Sequence, residues 1–213
     1  MISSLHDSRV RKVLDSLHAE ADIVDPPLLA AAEGKDVVER GAFLDRAFIP
    51  VSPEAGRFLY TLVRGSAHGD AVEFGTSFGI STIYMAAAMR DRGTGTVITT
   101  ELNAAKAEKA REYIRDAGLL DLVDVRLGDA LETLKGTRQG VSLVFLDGWK
   151  HLYLPVLRLL EPALSAGALV IADDLDLFPD ALQSYLAYVR DPAHGYTSVK
   201  IPIGDAMELS ARV

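Results

Sequence analysis

The sequence predicts an α/β fold: a mostly parallel sheet with helices on both faces and an antiparallel hairpin at its C-terminal edge. Three observations carry this reading. From residue 70 onward, short apolar runs alternate with stretches of helical periodicity, the pattern of a doubly wound parallel sheet. Between the first run and the first helix lies Glu73-Phe74-Gly75-Thr76-Ser77-Phe78-Gly79-Ile80-Ser81-Thr82, whose glycines allow a tight strand-to-helix loop. The chain closes with two β-rich runs around Gly204-Asp205, a turn signal.

Residues 5–47 read as a helical preface. Val10, Val13, Leu14 and Leu17 recur at helical spacing. Pro26-Pro27 is expected to break that helix, since proline lacks an N–H and crowds the preceding turn, with a second helical stretch from Leu28. Ser52-Pro53-Glu54 then offers a side-chain cap, a first-turn proline and an early acid, a helix start. Strands are expected at Ala71–Phe74, Val97–Glu101, Val123–Leu127, Val141–Leu146 and Ala168–Ala172. Between them stand helices at Ile80–Arg90, Ala104–Ala117, Ala130–Leu134 and Tyr153–Leu160, with Pro179–Val189 after the fifth strand. Tyr196–Ile201 and Ala206–Arg212 form the closing hairpin. Residues 1–50 are expected to act as a lid or an oligomer contact, and 51–213 to carry the site.

The 213 residues suffice for one full-sized core. A net charge of −8 with scattered arginines speaks against a nucleic-acid partner, which needs a basic stripe. Cysteine is absent, which excludes thiolate chemistry and fits a reducing cytoplasm. No signal peptide or membrane-spanning stretch is expected, and the acidic charge with its scattered arginines points to a small-molecule partner.

Ligands of such sheets bind beyond the carboxyl ends of the strands. Two buried-looking strands end there in acids: Val144-Phe145-Leu146-Asp147 and Leu169-Val170-Ile171-Ala172-Asp173-Asp174. Carboxylates at neighbouring strand tips can converge on one hard cation. The all-oxygen set suits Mg²⁺, with Mn²⁺ or Ca²⁺ as alternatives. Lys150 stands three residues beyond Asp147 as a candidate proton acceptor.

The glycine loop is not the dinucleotide fingerprint G-x-G-x-x-G. Glu73 before it serves a pyrophosphate poorly and an ammonium well. Glu101 ends the second strand, where an acid can accept ribose hydroxyls. Gly128-Asp129-Ala130 ends the third, where an adenine could lie. Together these residues ask for an adenosine carrying an amino acid.

At this point the chain resembles the class I S-adenosylmethionine-dependent methyltransferases with their Rossmann-like seven-stranded sheet. Within them it is similar to the metal-dependent O-methyltransferases of the catechol and caffeoyl-CoA types. The ordered set that carries the resemblance includes Asp147-Gly148-Trp149-Lys150-His151-Leu152-Tyr153-Leu154-Pro155, and the likeness runs from about Val51 to the C-terminus. It implies that Glu73, Gly75, Ser77 and Ser81 border the methionine part of S-adenosylmethionine, with the backbone near Val51 closing that pocket. Glu101 would hold the ribose, Gly128, Asp129 and Ala130 the adenine, and Asp147 and Trp149 would also border the cofactor. Asp147, Asp173 and Asp174 would bind the metal, and Lys150 would be the catalytic base. The acceptor would be a catechol-like phenol, a caffeoyl-CoA-type ester or a natural-product phenol, and the protein a monomer or homodimer.

Two departures bear on the substrate. The family usually has Asn at the position of Asp174, and Val199 stands where the catechol enzymes place a glutamate. Other residues stay open: Trp149 as core or cofactor contact, Tyr153 as packing or a helix cap, Phe178 as substrate mouth or surface. His151 is expected to be a solvated loop residue. The rival readings are a nicotinamide-dependent oxidoreductase and a cofactor-binding module without catalysis.

Overall fold

The computed structural model describes residues 3–35 and 43–213. Helices α1 (Ser8–Ala32) and α2 (Pro53–Gly65) precede the alternating region. That region comprises β1 (Asp70–Phe74), α3 (Ile80–Arg92), β2 (Val97–Glu101), α4 (Ala104–Asp116), β3 (Val123–Leu127), α5 (Ala130–Thr133), β4 (Val141–Leu146), α6 (Tyr153–Leu160), β5 (Leu164–Ala172) and α7 (Pro179–Arg190). Strands β6 (Tyr196–Ile201) and β7 (Met207–Arg212) close the chain. The seven strands form one sheet in the order β3-β2-β1-β4-β5-β7-β6. The first five are parallel, and β7 runs antiparallel between β5 and the edge strand β6.

Strand side chains alternate between two cores, as a pleat of period two demands. Ala71, Leu143, Phe145 and Ile171 join the core formed with α1 to α4. Val72, Val144, Leu146, Val170 and Ala172 join the one formed with α6 and α7. This explains why β4 is buried at every position: with helices on both faces, neither set of side chains meets water. Helix α3 is buried from Ile80 to Met89 because α1 and α2 cover the side that the sheet does not. Val10, Leu14, Leu17 and Ala21 of α1 belong to that same core.

The expected break at Pro26-Pro27 does not occur: α1 continues through both prolines to Ala32. Both lie on the exposed face, as do Asp22 and Ile23, the residues whose carbonyls lose a helical donor, so water can satisfy them. The opposite face holds the helix in register. There Asp25 is buried and its carboxylate accepts Phe48 N and Ile49 N, each at 2.7 Å. Strand β5 begins four residues earlier than its apolar run suggests, because Leu164–Gly167 is a half-exposed lead-in that includes a register shift against β4. Ser52 caps α2 as its sequence implies, accepting Ala55 N at 3.1 Å. No helix among the described residues is long and apolar enough to cross a membrane.

Candidate functional site

Strand register sets the site. Phe74, Leu146 and Ala172 are level on β1, β4 and β5, so the next residues, Gly75, Asp147 and Asp173, emerge side by side. Backbone bonds hold them there: Asp147 N donates to Phe74 O at 2.9 Å and Asp173 N to Leu146 O at 3.1 Å. On the other side, Gly75 N donates to Thr100 O of β2 at 3.2 Å, one residue before Glu101. The line Glu101, Gly75, Asp147, Asp173 therefore crosses the carboxyl ends of four adjacent strands.

Gly75 is required twice over. Its φ is +104°, and a Cβ there would stand 2.6 Å from the carbonyl oxygen of Asp147, closer than real contacts allow. The loop after β1 thus lies directly on the chain after β4. Ser77 also has a left-handed φ, +46°, a conformation that costs a non-glycine residue energy and clusters at functional sites. Its N–H donates to Glu101 Oε2 at 2.8 Å and its hydroxyl to Phe48 O at 2.9 Å. The second Glu101 oxygen accepts Asn103 N at 2.9 Å.

Glu73 lies wholly inside the protein. Ser81 Oγ donates to it at 2.6 Å, Thr82 Oγ1 at 2.5 Å and Thr99 Oγ1 at 2.6 Å. Burial, reinforced by the charge of Glu101, raises its pKa to about 7 against the pull of those three hydroxyls. In this arrangement Glu73 ties β1 and β2 to the first turn of α3, and Ser81 is one of its donors. Ala130 is buried at the start of α5, and Asp129 caps that helix, accepting Leu131 N at 2.8 Å. Gly128 is bonded to β2 through its N–H to Glu101 O at 2.8 Å.

Lys150 meets two of the three strand-end acids, Asp147 and Asp174. Lys150 Nζ is 2.6 Å from Asp174 Oδ2 and 3.5 Å from Asp147 Oδ1. Asp173 Oδ1 accepts the Asp174 N–H at 2.8 Å, and Asp174 has a φ of +64°, so the chain turns sharply at the acidic pair. Burial, and then the crowding of like charge, drives the pKa of Asp147 well above the carboxylate range, although Lys150 opposes it. Burial also raises Asp173, with the charge of Asp174 next in effect. Among the described residues no three His, Cys, Asp or Glu side chains are gathered tightly enough to hold a metal as they stand; the Lys150 ammonium lies between Asp147 and Asp174.

Trp149 is 39% exposed, so the single tryptophan is a rim residue and not core. His151 is solvated as expected. Val199 is exposed on β6, level with Leu209, and the Phe178 ring lies 5.8 Å from Lys150 Nζ. Val51 is buried next to Ser52. Of two open clefts between α1 and α4, one of about 360 Å³ lies away from the strand ends, and the other, of about 320 Å³, is bordered by Phe78 of the glycine loop, Phe48 and Lys106.

Three contributors were missed. Tyr153 is fully buried and its hydroxyl accepts from Lys150 Nζ at 2.6 Å; its spacing of three residues from Lys150 was the available signal. Asp25 continues the buried series Leu17, Ala21 at intervals of four, so an acid on an apolar stripe was visible. Lys106 is buried and donates to Leu44 O and Ala47 O, and no local pattern announces it.

The fold and the strand-end site define a methyltransferase domain, and residues 72–175 match the family described as "Methyltransferase domain". The chain is 34% identical over 152 residues to catechol O-methyltransferase of Mycobacterium tuberculosis, covering 71% of this chain and 66% of that protein. It is 31% identical over 147 residues to the pig (Sus scrofa) catechol O-methyltransferase, covering 66% and 77%. It spans less than two thirds of some relatives, for example 58% of the catechol O-methyltransferase of Niastella koreensis. Among solved structures, a cofactor-bound protein from MTB superposes with a TM-score of 0.70 at 27% identity, covering 87% of this chain and 89% of that one. An O-methyltransferase from Bacillus cereus in complex with SAH shares the fold, with a TM-score of 0.67 at 22% identity over 97% and 91% of the two chains. The chain belongs to the S-adenosylmethionine-dependent O-methyltransferase family that includes the catechol O-methyltransferases.

Proposed function

We propose that this protein transfers the methyl group of S-adenosylmethionine to one hydroxyl of a vicinal dihydroxy aromatic, a catechol-like small molecule. The observation that carries the reading is the meeting of Lys150 with Asp147 and Asp174 at adjacent strand ends, against the loop of Gly75. Relatives named catechol O-methyltransferase support an oxygen acceptor. A 26% identical relative named caffeoyl-CoA O-methyltransferase, from Eucalyptus globulus, supports a second reading, a phenol on a larger ester. Val199 favours keeping it, since an exposed valine offers no carboxylate to a second hydroxyl.

The donor set fits a hard divalent cation, Mg²⁺ first: Asp147, Asp173 and Asp174 offer only oxygen. The crowding that raises Asp147 and Asp173 is negative charge that a cation would offset. When bound there, such an ion stabilises the deprotonated form of an acceptor hydroxyl.

The chain's own residues do the remaining work. The loop from Gly75 to Ser81, Glu101, and Gly128 to Ala130 hold the methyl donor, and Trp149 offers an exposed ring for its flat parts. Lys150 Nζ stands where it can accept the acceptor proton. Tyr153, Asp147 and Asp174 then hold the resulting ammonium in place. The freed oxygen attacks the sulfonium methyl in line, with S-adenosylhomocysteine as leaving group. No protein nucleophile is needed, and alignment of the two substrates supplies much of the rate.

Assay of methyl transfer to catechol, caffeate, caffeoyl-CoA and simple monophenols tests this reading. Turnover of catechol or caffeate, with monophenols inert, is the expected result. Equal turnover of monophenols would overturn the vicinal-hydroxyl requirement.

A further inference from the structure

Residues 44–49 run beside the glycine loop outside any strand, and side chains from three other elements hold their peptide groups. Asp25 of α1 accepts the N–H groups of Phe48 and Ile49. Lys106, in the first turn of α4, donates to Leu44 O at 2.9 Å, Ala47 O at 2.8 Å and Ser77 Oγ at 3.4 Å. Ser77 completes the set by donating to Phe48 O. The Phe48 ring stacks on Phe78 of the loop at 4.1 Å. Ile49, like Ser77, has a left-handed φ, +45°. Two strained non-glycine residues thus flank one hydrogen-bonded junction, an arrangement that persists only when its surroundings over-determine it.

A buried lysine is costly unless all its donors are used. Here its three protons meet two carbonyls and one hydroxyl, and its burial pulls its pKa down while Glu101 opposes that. The bonds form a chain: Leu44 and Ala47 to Lys106, Lys106 to Ser77, and the Ser77 N–H to Glu101. The segment beside the loop is therefore wired to the acid at the end of β2.

We propose that Lys106 is a positioning residue for the nucleoside of the methyl donor. By locking residues 44–49 onto the loop, it fixes Ser77 and, through it, the Glu101 carboxylate in the orientation that receives a ribose diol. This rests on the reading of Glu101 as the ribose acid. Lys106 touches no reacting atom. Its loss weakens the methyl donor and leaves the acceptor side intact.

The test is calorimetric titration of S-adenosylhomocysteine, and of its 2′-deoxy analogue, into the native protein, Lys106→Met, Lys106→Arg and Ser77→Ala. Native protein that fails to bind S-adenosylhomocysteine, or that binds both ligands equally, would defeat the underlying reading itself. Given native binding and preference for the diol, Lys106→Met is expected to bind S-adenosylhomocysteine about tenfold more weakly, with the preference over the deoxy analogue reduced. Partial recovery is expected in Lys106→Arg. Ser77→Ala, which removes the link while Lys106 keeps its two carbonyl partners, is expected to lose the same preference and serves if Lys106→Met does not fold. A variant that melts earlier but keeps native affinity and native preference for the diol would overturn the proposal, leaving Lys106 a purely structural residue.

Discussion

Replacing Glu73 with glutamine isolates the cost of a charge held inside the site. Glu73 is wholly buried, and its pKa rises from an ordinary 4.5 to about 7. Below pH 4.5 both the folded and the unfolded chain carry the proton. Between 4.5 and 7 the unfolded chain loses it while the folded chain keeps it, so stability falls as pH rises through that window and levels off above it. At about 1.4 kcal/mol per pH unit, the ionised carboxylate costs the fold about 3 kcal/mol at pH 8. Glutamine keeps an acceptor oxygen for the hydroxyls of Ser81, Thr82 and Thr99 and does not titrate. The expectation is that Glu73→Gln gains on the native protein by about 3 kcal/mol between pH 4.5 and pH 8, read by urea unfolding of the ligand-free proteins. Asp173 titrates alike in both proteins, whereas the Glu73 charge is one of the causes that raise Asp147, so its removal relaxes Asp147 and changes the difference in the same direction. A stability difference between the two that is the same at both pH values would mean that Glu73 carries no raised pKa in the folded protein.

Lys150→Met is expected to lower kcat at least about 100-fold, the scale of lost general-base catalysis, while binding of S-adenosylhomocysteine by calorimetry stays near native. Gly75→Ala forces a Cβ against the Asp147 carbonyl at a φ of +104°; its affinity for the same ligand is expected to fall about tenfold or more, with a lower melting temperature. Arg190→Ala leaves the Glu208 carboxylate buried without the arginine fork that now holds it at 2.6 and 2.7 Å. Because Arg190 is itself half-exposed, the expected loss is about 2 kcal/mol by chemical denaturation, with turnover per folded molecule unchanged.

The sheet was legible because its strands announce themselves. Val97–Glu101, Val123–Leu127 and Val141–Leu146 are short apolar or β-branched runs cut off by loop residues, and they fold with those bounds. Asp147 and Asp173 were legible as neighbours because each ends a run of one parallel sheet, where register does the rest. Pro26-Pro27 misled because a local rule about proline says nothing of the buried face behind it, where Asp25 and the α1 stripe hold the helix. The enclosure of Glu73 was illegible because Ser81, Thr82 and Thr99 reach it from two other elements. Lys106 was illegible for the same reason: its partners stand about 30 and 60 residues away, and only the fold brings them together. Val199 shows the limit of position alone. It sits on a strand level with Leu209 and exposed, so the acceptor side must be read by assay.

On the proposed function, three carboxylates and a lysine at two strand ends drive methyl transfer to an oxygen with a divalent cation's help. The most direct measurement is the initial rate of catechol methylation after exhaustive chelation, followed by titration of Mg²⁺. Activity is expected to vanish with EDTA and return saturably with Mg²⁺ in the native protein. In Asp147→Ala no return is expected. Undiminished catechol methylation in EDTA would contradict the proposed function.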